Sequence, residues 1–120
     1  MHGVPADLDL SQFVGAELAR IDLGQFILHF RFAAEASPVI AVEGHWELRA
    51  PDGGLLDRQI DPADRDAYRI HVLLGRTVVG TEVDPPASFA LLFDAGHTLR
   101  IFDSSRLYES FAIEPPGVYV

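Results

Sequence analysis

The pattern Phe-x-Leu-x-Phe occurs twice in this chain of 120 residues, as FILHF at residues 26–30 and as FALLF at residues 89–93. In the first copy the alternation of large apolar and more polar residues continues to Phe32. A period of two residues is that of a β-strand with one buried face and one wetter face. The two copies therefore predict two strands whose Phe side chains enter a common core.

Other features recur between the halves at a spacing of about sixty residues, which predicts an internal duplication. Helical turns end at Gly15 and at Gly75, and each is followed by a change of apolar parity that indicates a β-bulge, near Ala19 and Arg20 in the first half and near Val79 and Gly80 in the second. Further along, Ile40 and Val42 correspond to Leu99 and Ile101, and Trp46-Glu47 corresponds to Tyr108-Glu109. The repeat is too long for a solenoid unit and fits a duplicated antiparallel meander. Coincidence is the rival explanation, since antiparallel strands often alternate large apolar residues.

The predicted fold is mainly β, at the margin of α+β, in a single domain over residues 1–120. Two pseudo-repeated meanders, at about residues 9–60 and 61–114, pack as a sandwich or strongly curved sheet, and residues 115–120 form a tail. The predicted core contains Phe26, Phe30, Trp46, Phe89, Phe93 and Phe111. Residues 55–60 form an edge strand, and Asp94-Ala95-Gly96 closes a hairpin that pairs Phe93 with His97. One helix joins the halves, with Asp61 as its N-cap and Gly75 at its end.

The composition excludes several function classes. Eighteen acidic residues against nine basic ones give a net charge of −9, which disfavours binding to nucleic acids and to anionic membranes. The same charge favours association with a basic protein partner, or it serves solubility alone. The chain contains no Cys and no Lys, so thiolate, Schiff-base and Walker-type phosphate chemistry are excluded. Abundant Arg and Ala without Lys or Asn indicates a GC-rich bacterial source. The N-terminal residues lack a signal-peptide pattern and no stretch has the length of a membrane span, so we expect a cytoplasmic protein.

One constellation of polar residues is a candidate site. Glu43, His45 and Glu47 alternate along a predicted strand, and if Phe30 pairs with Val42, then His29 falls opposite Glu43 with Arg31 beside it. Imidazoles and carboxylates could bind a metal ion or act as a general acid and base. The alternative is a set of cross-strand charge pairs on a solvated face. We therefore assign these residues as binding candidates, and assign no catalytic residue, metal-ligand set or cofactor.

The chain also resembles a family of small, uncharacterised bacterial proteins. The resemblance extends from about Phe13 to Ile113 and rests on these elements: Val14-Gly15-Ala16-Glu17-Leu18, Phe30, Glu43-Gly44-x-Trp46-Glu47-Leu48, Leu74-Gly75-Arg76, Phe93-x-x-Gly96-x-x-Leu99 and Tyr108-Glu109-Ser110-Phe111. It implies no activity, and so no catalytic residue follows from it.

The sequence thus favours a non-catalytic binding or protein-interaction domain. Its partner would be another protein, or a second copy bound through an unpaired strand edge or through the apolar tail residues 118–120. The alternative is a small-molecule or metal-dependent protein or enzyme that uses the face of His29, Glu43, His45 and Glu47.

Overall fold

The computed structural model describes residues 3–60, 69–103, 110–115 and 117–120, and those residues contain ten β-strands in two antiparallel sheets. In chain order the strands are β1 (Glu17–Leu23), β2 (Leu28–Ala33), β3 (Val39–Val42), β4 (Trp46–Arg49), β5 (Leu55–Gln59), β6 (Val78–Asp84), β7 (Ser88–Phe93), β8 (Thr98–Phe102), β9 (Phe111–Glu114) and β10 (Val118–Tyr119). The first sheet has the order β1-β2-β3-β9-β10 and the second has the order β5-β4-β8-β7-β6. The predicted mainly β class is confirmed.

The core lies between the two sheets. Along β2 the side chains of Leu28, Phe30 and Phe32 are buried, whereas His29 and Arg31 face outward, as the alternation predicts. The rings of Phe89 in the second sheet and Phe111 in the first meet edge to face, with centroids 4.9 Å apart. Burial of one such ring contributes on the order of 2 to 3 kcal/mol.

The two halves correspond strand by strand, β1 to β5 matching β6 to β10. A short 3-10 helix precedes the strands of each half, Ser11–Phe13 in the first and Ile70–Leu73 in the second. The register shifts between Leu18 and Arg20 in β1 and between Val78 and Gly80 in β6, so the bulges predicted near Ala19 and Val79 are both confirmed. The predicted hairpin at residues 94–96 is confirmed as well, because the Phe93 N–H donates to the His97 carbonyl (2.9 Å) and Gly96 has a φ of 98°.

The strands of each half are distributed over both sheets, and the sequence did not predict this distribution. Strands β1 to β3 lie in the first sheet, but β4 and β5 lie in the second, and β9 and β10 make the reverse exchange. The crossing from β3 to β4 occurs at Glu43 and Gly44, whose backbone N–H groups both donate to the Ser110 carbonyl (3.0 and 3.1 Å). Because each sheet contains strands from both halves, neither half can close a sheet by itself.

The aromatic residues at equivalent positions of the two halves also differ from those that the sequence predicts. Leu18 pairs with Phe32 and Val78 pairs with Phe93, so FALLF matches Leu28-x-Phe30-x-Phe32 and not FILHF. Phe26 lies in the turn between β1 and β2 with 60% of its surface exposed, and its expected place in the core is wrong.

The second half of the predicted repeat needs a similar correction. Trp46 lies opposite Ile101 and Phe111 lies opposite Val42, so Phe111 and not Tyr108 is the counterpart of Trp46. Residues 104–109, which include Tyr108 and Glu109, lie outside the described residues.

The predicted helix and tail differ from the structure. The described residues contain no α-helix; the described part of the predicted helix is the 3-10 helix Ile70–Leu73, and residues 61–68 lie outside the described residues. The predicted edge strand is confirmed as β5. In the predicted tail, β10 pairs with β9 and Val120 is 2% exposed, so this segment packs on its own sheet.

Three of the four edge strands are either short or hydrogen-bonded to another edge strand at one end. Strands β1 and β6 meet at their bulged ends, where the Gly15 N–H donates to the Val78 carbonyl and the Gly75 N–H donates to the Leu18 carbonyl (both 2.8 Å). Strand β10 has only two residues. Short or covered edges reduce pairing with other chains.

Candidate functional site

The five sequence-predicted site residues do not share one face. His29 and Arg31 lie on the outer side of β2 in the first sheet, while Glu47 lies on β4 in the second sheet. Glu43 belongs to the crossing between the sheets, and His45 immediately precedes β4. The crossing at Gly44 therefore separates residues that a continuous strand would have kept together.

The expected pairing of His29 with Glu43 is also wrong. Phe30 pairs with Ile40 and not with Val42, so His29 lies opposite Ala41. Within the described part of the chain, no three His, Asp or Glu side chains are grouped so that they could hold a metal ion.

Two of the predicted residues, His29 and Arg31, line a groove of about 250 Å³ on the outer face of the first sheet. Strand pairing places two rows side by side, His29 with Ala41 and Ala112, and Arg31 with Val39 and Glu114. The small side chains of Ala41 and Ala112 leave a depression between the longer ones. Sequence reasoning missed Glu114, because it reaches this face only through the pairing of β3 with β9, which belong to different halves.

A carboxylate joins two arginines beside this groove. The Nε groups of Arg20 and Arg31 donate to the two carboxylate oxygens of Asp22, at 2.6 and 2.7 Å. The hydrogen bond from Arg31, helped by the bond from Arg20 and by both positive charges, lowers the pKa of Asp22 below its ordinary value. Asp22 is therefore ionised at neutral pH, and the three side chains together carry a charge of +1 on a chain whose net charge is −9.

The hairpin between β1 and β2 ends in exposed apolar side chains. Leu23 pairs with Leu28, and the Gly24 N–H donates to the Ile27 carbonyl (2.8 Å), which leaves Gln25 and Phe26 at the tip. Leu23 is 59% exposed and Phe26 is 60% exposed, whereas six of the eight Phe residues of the chain are buried. Aromatic residues, including Phe, and Arg are enriched at the cores of protein interfaces.

The outer face of the second sheet carries opposite charges in neighbouring strands. Arg100 donates to Glu82 (2.7 Å) and to the Ser88 hydroxyl (2.9 Å), and Arg49 donates to Glu47 (3.1 Å). Such partly exposed pairs contribute about 0.2 to 1 kcal/mol each. This face fits the sequence-based alternative of cross-strand charge pairs on a solvated sheet.

His45 lies at the end of that face and stacks on Phe102, with ring centroids 4.2 Å apart and planes 17° apart. Burial lowers the pKa of the His45 imidazole; the Glu47 carboxylate acts in the opposite direction, and the positive charge of Arg58 adds to the lowering. The neutral imidazole is the form that this environment favours.

A pH dependence of stability follows from His45. Because the pKa is lower in the folded chain than its ordinary value of 6.5, the unfolded chain takes up the proton first as the pH falls. We expect the free energy of unfolding to decrease as the pH falls through about 6.5, and to decrease less in a His45→Gln variant. Urea unfolding at several pH values between about 7.5 and 5 measures both slopes. Equal slopes in the two proteins would contradict this assignment.

Among the described residues, no helix combines the length and the hydrophobicity that a membrane span requires. Comparisons of the chain with models of known families, with curated proteins and with solved structures find no match.

Proposed function

We propose that this chain is a non-catalytic protein-interaction domain that acts in the cytoplasm and contacts its partner through the β1–β2 hairpin and the adjoining outer face of the first sheet. The exposure of Phe26 carries the proposal. A ring that is 60% exposed contributes little to folding, yet burying it in an interface contributes on the order of 2 kcal/mol.

The surroundings of Phe26 support a side-chain interface over a catalytic centre. Arg20 and Arg31 both form ion pairs with Asp22 on the outer side of the same hairpin. The groove beside them has a floor of alanine side chains and is open to solvent, as a protein contact surface is.

The strand edges support the same conclusion. The carboxylate of Asp57 on β5 accepts a hydrogen bond from the Arg58 backbone N–H (2.9 Å), so a donor of this edge strand is already used. Together with the joined ends of β1 and β6, this arrangement disfavours partner binding by strand addition.

Site-specific photo-crosslinking tests the proposal. A photoreactive phenylalanine derivative replaces Phe26 in one variant and Val79, which is 59% exposed, in a control variant, both expressed in the source organism. We expect a discrete crosslinked protein from position 26 that position 79 does not give, identified by mass spectrometry. A crosslinked homodimer at position 26 would identify a second copy as the partner. No crosslink at position 26, or the same products from both positions, would refute the proposed surface.

A further inference from the structure

The internal duplication provides a comparison for the exposed hairpin. Leu23 pairs with Leu28 at the end of the β1–β2 hairpin, and Val83 pairs with Phe89 at the end of the β6–β7 hairpin. Both pairs lie at equivalent positions after equivalent bulges. What covers one hairpin therefore indicates what the other can bind.

The β6–β7 hairpin is covered by the N-terminal segment of the same chain. The Val4 N–H donates to the Pro86 carbonyl at the hairpin tip (2.9 Å), and the Val4 side chain is 2% exposed within the core. Leu8 and Val83 pack against the same core cluster. Gly3 lies so close to Pro86 that an added Cβ atom would be 2.6 Å from the Pro86 Cβ, which shows how tightly the segment is seated.

Within residues 3–60, 69–103, 110–115 and 117–120, no segment covers the β1–β2 hairpin as the segment around Val4 covers the β6–β7 hairpin. Leu23 is 59% exposed although it lies on the same side of β1 as Ile21, which packs against the core, and Phe26 is 60% exposed at the tip. One hairpin thus buries its apolar end beneath the N-terminal segment, and its counterpart presents a similar apolar end to solvent.

We infer that Leu23 and Phe26 receive a peptide segment of the partner protein, seated as the segment around Val4 is seated on the β6–β7 hairpin. This inference rests on the proposed function and names the chemistry of the ligand. The segment carries an aliphatic side chain that packs between Leu23 and Phe26, and backbone groups that hydrogen-bond to the hairpin turn.

The test is an NMR titration of the isotope-labelled full-length protein with a synthetic peptide, HGVPADL, that copies residues 2–8. We expect saturable shifts of the amides at residues 23–28, half-complete at a concentration on the order of 1 mM because the peptide is short and unconstrained. A peptide that carries the Val4→Asp change is the matched ligand control and should cause no such shifts. A Leu23→Ser, Phe26→Ser variant should bind at least about tenfold more weakly, and a Val79→Ser variant should bind like the unmodified protein.

The outcomes separate this inference from the proposed function. Saturable shifts at residues 23–28 that depend on Val4 of the peptide support it. The absence of those shifts, or shifts confined to the amides around Pro86, would overturn it even if crosslinking at position 26 succeeds. If the peptide binds at residues 23–28 and crosslinking captures nothing, the docking chemistry holds and the proposed function fails.

Discussion

Replacing Phe30 with alanine is expected to lower the free energy of unfolding by about 3 to 5 kcal/mol, whereas the same change at Phe26 is expected to lower it by less than about 0.5 kcal/mol. Phe30 is fully buried on β2, so its removal leaves a cavity between the sheets as well as losing the transfer free energy of the ring. Phe26 is 60% exposed and leaves no cavity. The sequence assigns both rings to the same buried face, so the pair distinguishes the observed turn from the predicted longer strand.

Urea unfolding followed by tryptophan fluorescence measures both variants, since Trp46 is the only tryptophan and is fully buried. A domain of this size is stable by only about 5 to 15 kcal/mol, so Phe30→Ala could fall below the folding threshold. The Phe30→Leu variant, expected to cost less than about 1.5 kcal/mol, then provides the comparison. Equal losses at positions 26 and 30 would mean that the Phe26 ring lies in the core.

The Asp57→Ala change is expected to lower the free energy of unfolding by about 2 to 3 kcal/mol, because hydrogen bonds to a charged group are worth more than neutral ones. One oxygen of the Asp57 carboxylate accepts from the Arg58 backbone N–H, and the other accepts from the backbone N–H groups of Arg69 and Ile70, the latter at 3.1 Å. These bonds tie the start of the 3-10 helix Ile70–Leu73 to β5, across at least twelve residues of chain. Removal of the Asp57 carboxylate therefore removes two long-range hydrogen bonds and one local one.

Asp52→Ala is the matched control for Asp57. The Asp52 carboxylate accepts one hydrogen bond, from the Gly54 N–H within an exposed turn (2.8 Å), and its loss should cost at most about 1 kcal/mol. Hydrogen exchange supplies a second measurement, in which Asp57→Ala should speed exchange at Ile70 and Leu73 while Asp52→Ala leaves these amides unchanged. Similar exchange in both variants would show that Asp57 does not anchor this segment.

The proposed contact surface shows how overall charge and local charge can differ. The net charge of −9 suggests a basic partner, yet the described strands carry five of the nine arginines and seven of the eighteen acidic residues. Strands β1 and β2 are neutral in sum, because Arg20 and Arg31 are balanced by Glu17 and Asp22. The proposed contact surface is therefore less acidic than the chain as a whole, which would attract basic surfaces at long range.

Much of the local structure could be predicted because it depends on neighbouring residues. Alternation along residues 28–32 predicts β2, the parity changes near Ala19 and Val79 predict both bulges, and Asp94-Ala95-Gly96 predicts the hairpin loop. The same reasoning placed His29 and Arg31 on the outer face of β2, since the strand period alone determines their direction.

The pairing of distant strands could not be predicted in the same way. A register shift of two residues returns every side chain to the same face, so alternation cannot distinguish Phe30 opposite Val42 from the observed pairing of Phe30 with Ile40. Nor does any local pattern show that β4 leaves the sheet of β3, because a strand can bury its apolar face equally well in either sheet. Packing of the complete core decides that exchange, and with it the exposure of Phe26 and the meeting of Ala41 with Ala112 beneath the groove.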